Sequence, residues 1–413
     1  MPPKLEQPPL PVGRSVAAQR WLEYYNIVAR VPSIRSSDIN YLDSPFQYYL
    51  SRRLGLTPAH YYSEALSLGT WFHNWFEVHQ EPDALALYQR KIQKAETDLR
   101  AVSTVLRWNN RQLQEALTQL EMDSTHAREW FDVAVDIPMG KSGTLRKHMS
   151  RDCWKTLGRE VFVRVHYPKM PKTSAVAQFD QLWYHTGHNT LWVPDLKSTG
   201  EDPRARAAKC PCEFQTWHYL SVLEEALETG VLHDMFPDLP PDVKIGGMMH
   251  YIIKKPSIRL AQKDRDYNII EKEITRGPNK GTVRNEKEYY GDPQWKNYRE
   301  RVRAWYQGEG EYETVHQSGP PVEISTTNFS TLDDDVRHEY RLLLSQIYDL
   351  ATKEAIPCAF PRNGQSMGSH GNLTPYAKFY TLGVQHWPRI IREQQLLPSF
   401  RDPALDNPEP EGE

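Results

Sequence analysis

The chain has 413 residues, of which 39% are hydrophobic and 25% are charged, a composition typical of a globular protein with a sizeable core. Its formal net charge of -3 excludes a nonspecific, histone-like coat on DNA, although a local basic groove is compatible with it. The four cysteines are too few and too scattered for a disulfide scaffold, which favours a reducing compartment.

Both ends of the chain are rich in proline and charge. Residues 1–14 and 399–413 therefore predict disordered tails around a single domain over residues 15–398. The first residues lack the apolar centre of a signal peptide, and there is no run of about 18 apolar residues to span a membrane. We expect a cytoplasmic protein that makes no membrane contact.

A heptad pattern of apolar and small residues predicts a helical insertion over about residues 83–122. The pattern is formed by Leu85, Tyr88, Ile92, Ala95, Leu99, Val102, Leu106, Leu113, Ala116 and Leu120. A single helix of this length would reach about 60 Å, whereas two helices would break near Trp108. The apolar stripe either packs on the body of the protein or forms a projecting arm that contacts a second subunit or DNA.

Two strand-like runs, residues 174–184 and 190–197, flank a turn that contains glycine and therefore predict a β-hairpin. If the turn is centred just after Gly187, Asp180 lies directly opposite Asp195. Opposed side chains of a hairpin point to one face, with Cβ atoms about 5 Å apart. The hairpin therefore brings two carboxylates together.

The pair of acids has a lysine beside it, because Lys197 lies two residues beyond Asp195 and shares its face. Two carboxylates so close repel each other unless a cation lies between them, and Asp oxygens suit a hard divalent ion such as Mg²⁺. Water activated by a metal ion is the usual nucleophile in phosphodiester hydrolysis, and a lysine can hold that water. The alternative is a surface hairpin with scattered charge, which the many apolar neighbours disfavour.

The other elements complete a mixed pattern. A strand is predicted at 161–167, a helix at 213–228, a strand at 246–255 and a helical part over about 292–398. The order of helix, strands, helix, strand and helices favours a mixed sheet flanked by helices.

Four further polar residues are candidates for binding a substrate. Gln215 and Tyr219 lie one turn apart on the predicted helix, so both side chains can point at one ligand. Lys254 and Lys255 follow a predicted strand, where charges are usually solvated but can also grip phosphates.

An acid followed by D-x-K on the next strand resembles the signature of the PD-(D/E)XK nucleases. The Q-x-x-x-Y spacing of Gln215 and Tyr219 resembles an additional motif of the RecB-type family. The sequence DLKSTG before that helix is similar to the RecE-like phage exonucleases. These motifs place the catalytic signature in the middle of the chain.

Two upstream segments extend the resemblance to about residues 36–255. Gly69, His73 and Glu77 resemble the family's G-x-x-x-H-x-x-x-E helix, although a histidine among aromatic residues is also commonly a core residue. Residues 36–56 resemble the family's opening helix.

The resemblance implies an α/β fold with a restriction-endonuclease-like core, in which a mixed central sheet is flanked by helices and carries the long helical insertion. It implies an exonuclease dependent on Mg²⁺, with Mn²⁺ as a substitute, that acts on DNA in phage-type recombination or repair in a bacterial or phage-infected cell. A homo-oligomer or a recombination partner protein is compatible with this function.

The resemblance also assigns roles to individual residues. The metal ligands are Asp180, Asp195, the Leu196 carbonyl and His73, with Glu77 as an outer partner of His73; Lys197 positions the attacking water; and Gln215, Tyr219, Lys254 and Lys255 bind DNA.

One departure from the family concerns an iron–sulfur cluster. AddB-like relatives and the CRISPR adaptation nucleases hold such a cluster with four cysteines, the first in a C-P dipeptide and three near the C-terminus. Here the dipeptide is Ser44-Pro45, and the C-terminal region has only Cys358. Because a cluster needs four thiolates, we expect none, and we interpret Cys153, Cys210 and Cys212 as ordinary side chains.

Two other functions remain open at this point. An endonuclease on the same fold would carry the same motifs, because the choice of DNA ends depends on whether the groove is closed. A catalytically inactive DNA-binding or scaffold module is the second alternative, which the intact D…D-x-K and Q-x-x-x-Y motifs disfavour.

Overall fold

The structure is a computed structural model, and it describes most of the chain between residues 30 and 398. The described residues are 30–58, 64–105, 108–139, 143–149, 152–258, 267–274, 281–289, 296–313, 319–331, 334–354, 360, 368–369, 372–373, 376–381, 386–387, 390 and 396–398. The predicted tails and Cys358 lie outside these residues. Within the described part of the chain, no helix combines the length and the apolar character needed to cross a membrane.

The strands are numbered in chain order. They are β1 (Leu56–Pro58), β2 (Trp154–Val165), β3 (Ala175–His185), β4 (Thr190–Thr199), β5 (Lys244–Lys254), β6 (Tyr267–Glu273), β7 (Val283–Tyr289), β8 (Val322–Asn328), β9 (Gly368–Ser369), β10 (Asn372–Leu373) and β11 (Leu396–Pro398).

The helices are numbered in the same way, and a π-helix (Tyr49–Arg53) follows the first of them. The α-helices are α1 (Pro45–Tyr48), α2 (Glu64–Val78), α3 (Ala84–Val105), α4 (Asn110–Ala134), α5 (Leu145–Met149), α6 (Pro203–Lys209), α7 (Phe214–Glu228), α8 (Val231–Met235), α9 (Lys296–Gln307), α10 (Asp334–Thr352) and α11 (Ala377–Thr381).

A mixed sheet of five strands forms the centre of the molecule, in the spatial order β2-β3-β4-β5-β8. Strands β4 and β5 are parallel, and the other neighbours in this sheet are antiparallel. Parallel strands need a long crossover, which helices α6, α7 and α8 provide between β4 and β5. The prediction of a mixed sheet flanked by helices is confirmed.

Both faces of the sheet are covered, so side chains of β4 are buried on either side. Leu196 of β4 packs with α2, α4 and α9 in what we call the α2-side core. Leu191 and Val193 point the other way and pack with α7 and α8 in the α7-side core. Because successive side chains of a strand alternate between faces, Asp195 and Lys197 lie on the α7 side of β4.

The predicted insertion forms two helices, α3 and α4, which contact each other and α2. The break falls at Asn109, whose side chain accepts a hydrogen bond from the Gln112 backbone while the Gln112 side chain accepts one from the Asn109 backbone. This reciprocal cap starts a new helix, which continues to Ala134, past the predicted end of the insertion. Tyr88 and Ile92 of the predicted stripe pack on the α2-side core, but Leu85 is exposed.

The C-terminal part is less helical than predicted. It contains α9 and α10, but β8 lies between them and forms the edge strand of the central sheet beside β5. The prediction of a helical part over about 292–398 is therefore wrong at residues 322–328. The sequence VEISTTN is short, and its strand structure depends on pairing with β5, which a local pattern does not show.

A third group of buried side chains, the terminal core, joins two distant parts of the chain. Phe46 and Tyr49, near the start of the described chain, pack with Leu350 of α10 and with Phe379 and Trp387. The small pairing of β1 with β11 lies in the same part of the fold.

Candidate functional site

The hairpin of β3 and β4 has the register that the sequence predicts. Its ladder pairs Trp183 with Trp192, Tyr184 with Leu191 and His185 with Thr190. The ladder covers only these three pairs, whereas β4 pairs with β5 along its whole length. Strands β3 and β4 therefore part beyond Trp183 and Trp192, and the two candidate acids lie on the separated segments.

Asp195 is the most enclosed acid of the site, with only 4% of its surface exposed. Its Oδ2 atom forms an ion pair with Lys197 Nζ at 3.1 Å and accepts a hydrogen bond from His250 Nδ1 at 2.9 Å. Burial alone raises the pKa of Asp195, but the charge of Lys197 and the hydrogen bond from His250 lower the pKa well below its usual value. The carboxylate is therefore ionised at neutral pH.

Asp180 has a different partner, because His73 Nδ1 lies 2.6 Å from Asp180 Oδ2. His73 comes from α2, which packs across the sheet from α7. Burial lowers the pKa of His73, but the charge and hydrogen bond of Asp180 outweigh burial, so the net shift is upward.

Glu77 lies one turn beyond His73 but does not contact it. Its carboxylate binds Lys91 Nζ of α3, which also reaches Glu160 of β2 at 3.0 Å. The expected support of His73 by Glu77 is therefore corrected: His73 pairs with Asp180, and Glu77 pairs with the helical insertion. Because Glu77 is buried, its pKa is raised to about 7.

The Q-x-x-x-Y residues of α7 reach the same site. Lys197 Nζ donates to Gln215 Oε1 at 2.6 Å, and the Gln215 amide also donates to the Tyr219 hydroxyl, which leaves its second N–H hydrogen as a donor. Tyr219 packs edge-to-face on Phe179 with ring centroids 5.2 Å apart. Burial raises the pKa of Tyr219 well above its usual value, so its hydroxyl stays protonated.

Lys254 and Lys255 lie at the edge where β4 and β5 end. The Lys254 backbone pairs with the end of β4 at Thr199, and Lys255 N donates to the Thr199 carbonyl at 2.6 Å. Lys254 is four residues beyond His250, about 13 Å along the strand. Both lysines are half-buried, and burial lowers the pKa of Lys255.

His250 and Thr216 belong to the site although no sequence motif indicates them. His250 is the direct neighbour of Asp195 in the parallel β4–β5 ladder, and its Nε2 atom lies 3.2 Å from Thr216 Oγ1 on α7. A histidine in an otherwise apolar strand was the only local signal, and that signal is also typical of a core residue.

Three cysteines lie in the described part of the chain, and the charges of Lys197 and Asp195 act on the thiol of Cys210. Cys153, Cys210 and Cys212 are free thiols. Cys210 donates to the Arg206 carbonyl at 3.4 Å, and burial raises the pKa of Cys210 to about 11, which keeps the thiol protonated.

The donors at this site suit a hard divalent cation, with two carboxylates, an imidazole and a backbone carbonyl. Among the described residues, no three His, Cys, Asp or Glu side chains form a preformed metal cluster. The contacts with His73 and His250 use Oδ2, which leaves Oδ1 of Asp180 and of Asp195 as acceptors. Leu196 can contribute only its carbonyl, since its side chain is fully buried in the α2-side core.

The mixed sheet carries two carboxylates, a lysine and a histidine that suit metal-assisted hydrolysis, and comparison with known families gives the class of protein. The chain belongs to the PD-(D/E)XK nuclease superfamily, whose family model matches residues 39–323, more than half of the chain. Membership implies metal-dependent hydrolysis of nucleic-acid phosphodiester bonds, typically with divalent ions such as Mg²⁺ and with DNA as the suggested substrate. No curated protein matches the chain in a sequence search.

Proposed function

We propose that this protein is a DNA exonuclease of the RecB/RecE kind, dependent on Mg²⁺ or Mn²⁺, that acts in phage-type recombination or DNA repair. The observation that carries the proposal is the buried, ionised Asp195, with Lys197 held between its carboxylate and Gln215. A buried charge of this kind is costly for folding, so its retention favours a functional role.

The cation would be held by Asp180 and Asp195, with the Leu196 carbonyl and His73. When bound, it supplies the positive charge that activates water and offsets the charge of the phosphate. Oδ1 of each aspartate is free of the hydrogen bonds that occupy Oδ2, which supports this role.

Lys197 positions the attacking water. Its ammonium group has three hydrogens; it donates one to Gln215 and forms an ion pair with Asp195. A remaining hydrogen is available for a water molecule or a phosphate oxygen. Because Lys197 is only 16% exposed, few bulk water molecules compete for that hydrogen.

Gln215 and Tyr219 orient the DNA strand. The NH₂ group of Gln215 and the hydroxyl of Tyr219 are neutral donors, which suit phosphate oxygens better than they suit a metal ion. We assign Lys254 and Lys255, near the end of β5, to phosphates beyond the cleaved bond.

An assay on end-labelled linear DNA and on covalently closed circular DNA tests the proposal. Wild-type protein with Mg²⁺ should degrade the linear substrate from its ends and leave the circle intact. Asp195→Asn should lower the cleavage rate by about 100-fold or more while DNA binding persists, because misplaced reactants cost about that much. Asp136→Asn is the matched control, since Asp136 is an exposed acid paired with Arg146.

Cleavage of the circle would instead identify an endonuclease. DNA binding without cleavage would identify an inactive module. Full activity of Asp195→Asn, or of the wild type in EDTA, contradicts the metal-dependent mechanism.

A further inference from the structure

The strongest unassigned feature of the molecule is the buried ring of His250, which touches the site from the neighbouring strand. The ring has 0% of its surface exposed, and both of its nitrogens have partners. His250 lies beside Asp195 because β4 and β5 pair in parallel register at these two residues. The pairing of the two strands therefore fixes the contact between His250 and Asp195.

The hydrogen on Nδ1 has a defined direction. An ionised carboxylate can only accept hydrogen bonds, so Nδ1 of His250 donates to Asp195 Oδ2 at 2.9 Å. At the other end of the ring, Thr216 Oγ1 gives its single hydrogen to the Cys210 carbonyl at 2.7 Å. Thr216 Oγ1 also lies 3.2 Å from Nε2 of His250, so the ring has a polar partner at both ends.

Oδ2 of Asp195 thus has two partners of different kinds, an ion pair with Lys197 and a hydrogen bond from His250. Lys197 has a long flexible chain and a second acceptor in Gln215, so it can turn toward reactants. His250 is a rigid ring enclosed between a strand and α7. The contact of His250 with the carboxylate does not depend on where the Lys197 ammonium group lies.

We propose that His250, anchored by Thr216, is a positioning residue that holds the Asp195 carboxylate in its working orientation. This proposal rests on the proposed function of the site. In this role His250 contacts neither DNA nor a metal ion. It acts only through the position of the Asp195 carboxylate. A group that orients a metal ligand typically changes metal affinity or activity by about 10- to 100-fold.

Two amide replacements separate this role from simple packing. In His250→Asn the amide nitrogen takes the place of Nδ1 and can still donate to Asp195. In His250→Gln the amide reaches the place of Nε2, so the Thr216 contact survives and the Asp195 contact is lost. Both variants remove the ring, which makes each the control for the other.

The first measurement is Mn²⁺ affinity by calorimetry, together with the melting temperature of each variant. His250→Gln should weaken Mn²⁺ binding by about 10-fold or more, while His250→Asn should stay within a few-fold of wild type. In cleavage of end-labelled DNA, the kcat of His250→Gln should fall by about 100-fold with KM nearly unchanged. A packing role would lower both melting temperatures alike and leave the two Mn²⁺ affinities equal.

Failure of this proposal differs from failure of the proposed function. If wild-type protein cleaves no DNA but binds Mn²⁺, the exonuclease assignment fails, while a difference in affinity between the two variants still supports the role of His250. Equal Mn²⁺ affinities in the two variants, or a wild type that binds no Mn²⁺, overturns the role of His250. If His250→Gln does not fold, Thr216→Val tests the anchor, and unchanged Mn²⁺ affinity there overturns the proposal.

Discussion

Buried histidines in this protein have opposite roles that depend on their partners. His250 faces an ionised carboxylate, whereas His218 of α7 faces neutral groups: its Nε2 donates to the Val176 carbonyl at 2.9 Å, and its Nδ1 lies 3.2 Å from the Tyr340 hydroxyl. Burial without a nearby anion lowers the pKa of His218 to about 4, against the small opposing effect of the Val176 hydrogen bond. The neutral ring is therefore a requirement of the fold.

This requirement predicts a loss of stability in acid. The folded pKa of His218 lies below its unfolded value near 6.5, so its contribution is complete above pH 6.5 and is lost as the pH falls toward 4. The loss in unfolding free energy is at most about 3 kcal/mol. His218→Gln should therefore reduce the slope of melting temperature against pH between 6.5 and 4.

The matched control for this measurement is His166→Gln, because His166 is an exposed histidine. Some slope should remain in His218→Gln, since burial also lowers the pKa values of His79 and His126 to about 4. An unchanged slope in His218→Gln would show that His218 does not limit stability in acid.

At the scale of elements, the helical insertion braces the helix that carries His73. Lys91 of α3 holds Glu77 of α2 and Glu160 of β2, where Glu160 has an unusual positive φ of 47°. Glu77 is 6% exposed, so without Lys91 its charge would lie buried and unpaired. The insertion thus stabilises the helix that carries His73 through one ion-paired lysine.

Lys91→Met should destabilise the protein by about 2 kcal/mol at pH 8, because the ionised Glu77 loses its partner while the aliphatic stem is kept. The effect should be smaller at pH 6, below the pKa of about 7, where protonated Glu77 needs no counter-charge. Denaturant unfolding at both pH values measures this difference. The control is Lys94→Met, because Lys94 is an exposed residue of the same helix. Equal effects of the two variants at pH 8 would contradict a stabilising role of the Lys91–Glu77 ion pair.

At the scale of the whole molecule, a single arginine joins segments that are about three hundred residues apart. Arg53 ends the π-helix, is 4% exposed, and donates to the Lys353 carbonyl at 2.8 Å and the Leu350 carbonyl at 3.4 Å, at the C-terminal end of α10. Its Nε also donates to the Arg30 carbonyl. A positively charged donor interacts favourably with the free carbonyls at the C-terminal end of a helix. The contact therefore joins the two parts of the chain that form the terminal core.

Arg53→Met should lower the unfolding free energy by about 3 kcal/mol, because several carbonyls lose a charged donor in a buried place. Arg53→Lys should restore little of this, since a lysine has no planar fork to reach three carbonyls at once. Thermal melts compared with Arg90→Met, which removes an exposed arginine, give the measurement. If Arg53→Lys were as stable as the wild type, the positive charge at this position would be sufficient for stability without the planar guanidinium group.

Much of the site could be predicted from the sequence because its signals are short in range. The symmetric turn sets the register of β3 and β4, the D-x-K spacing puts Asp195 and Lys197 on one face, and one helical turn aligns Gln215 with Tyr219. The fold class followed from the order of these elements, and it is confirmed. Each of these relations depends on backbone geometry over a few residues.

Contacts between elements distant in the sequence were decided only by the tertiary structure. His250 reaches Asp195 because β4 and β5 pair in one particular parallel register, and Glu77 meets Lys91 because α3 folds back on α2. The strand β8 exists because β5 offers it an edge. Local spacing determines which side chains of one element share a face. Which residue of another element each side chain contacts depends on how the elements pack, and packing is a property of the complete fold.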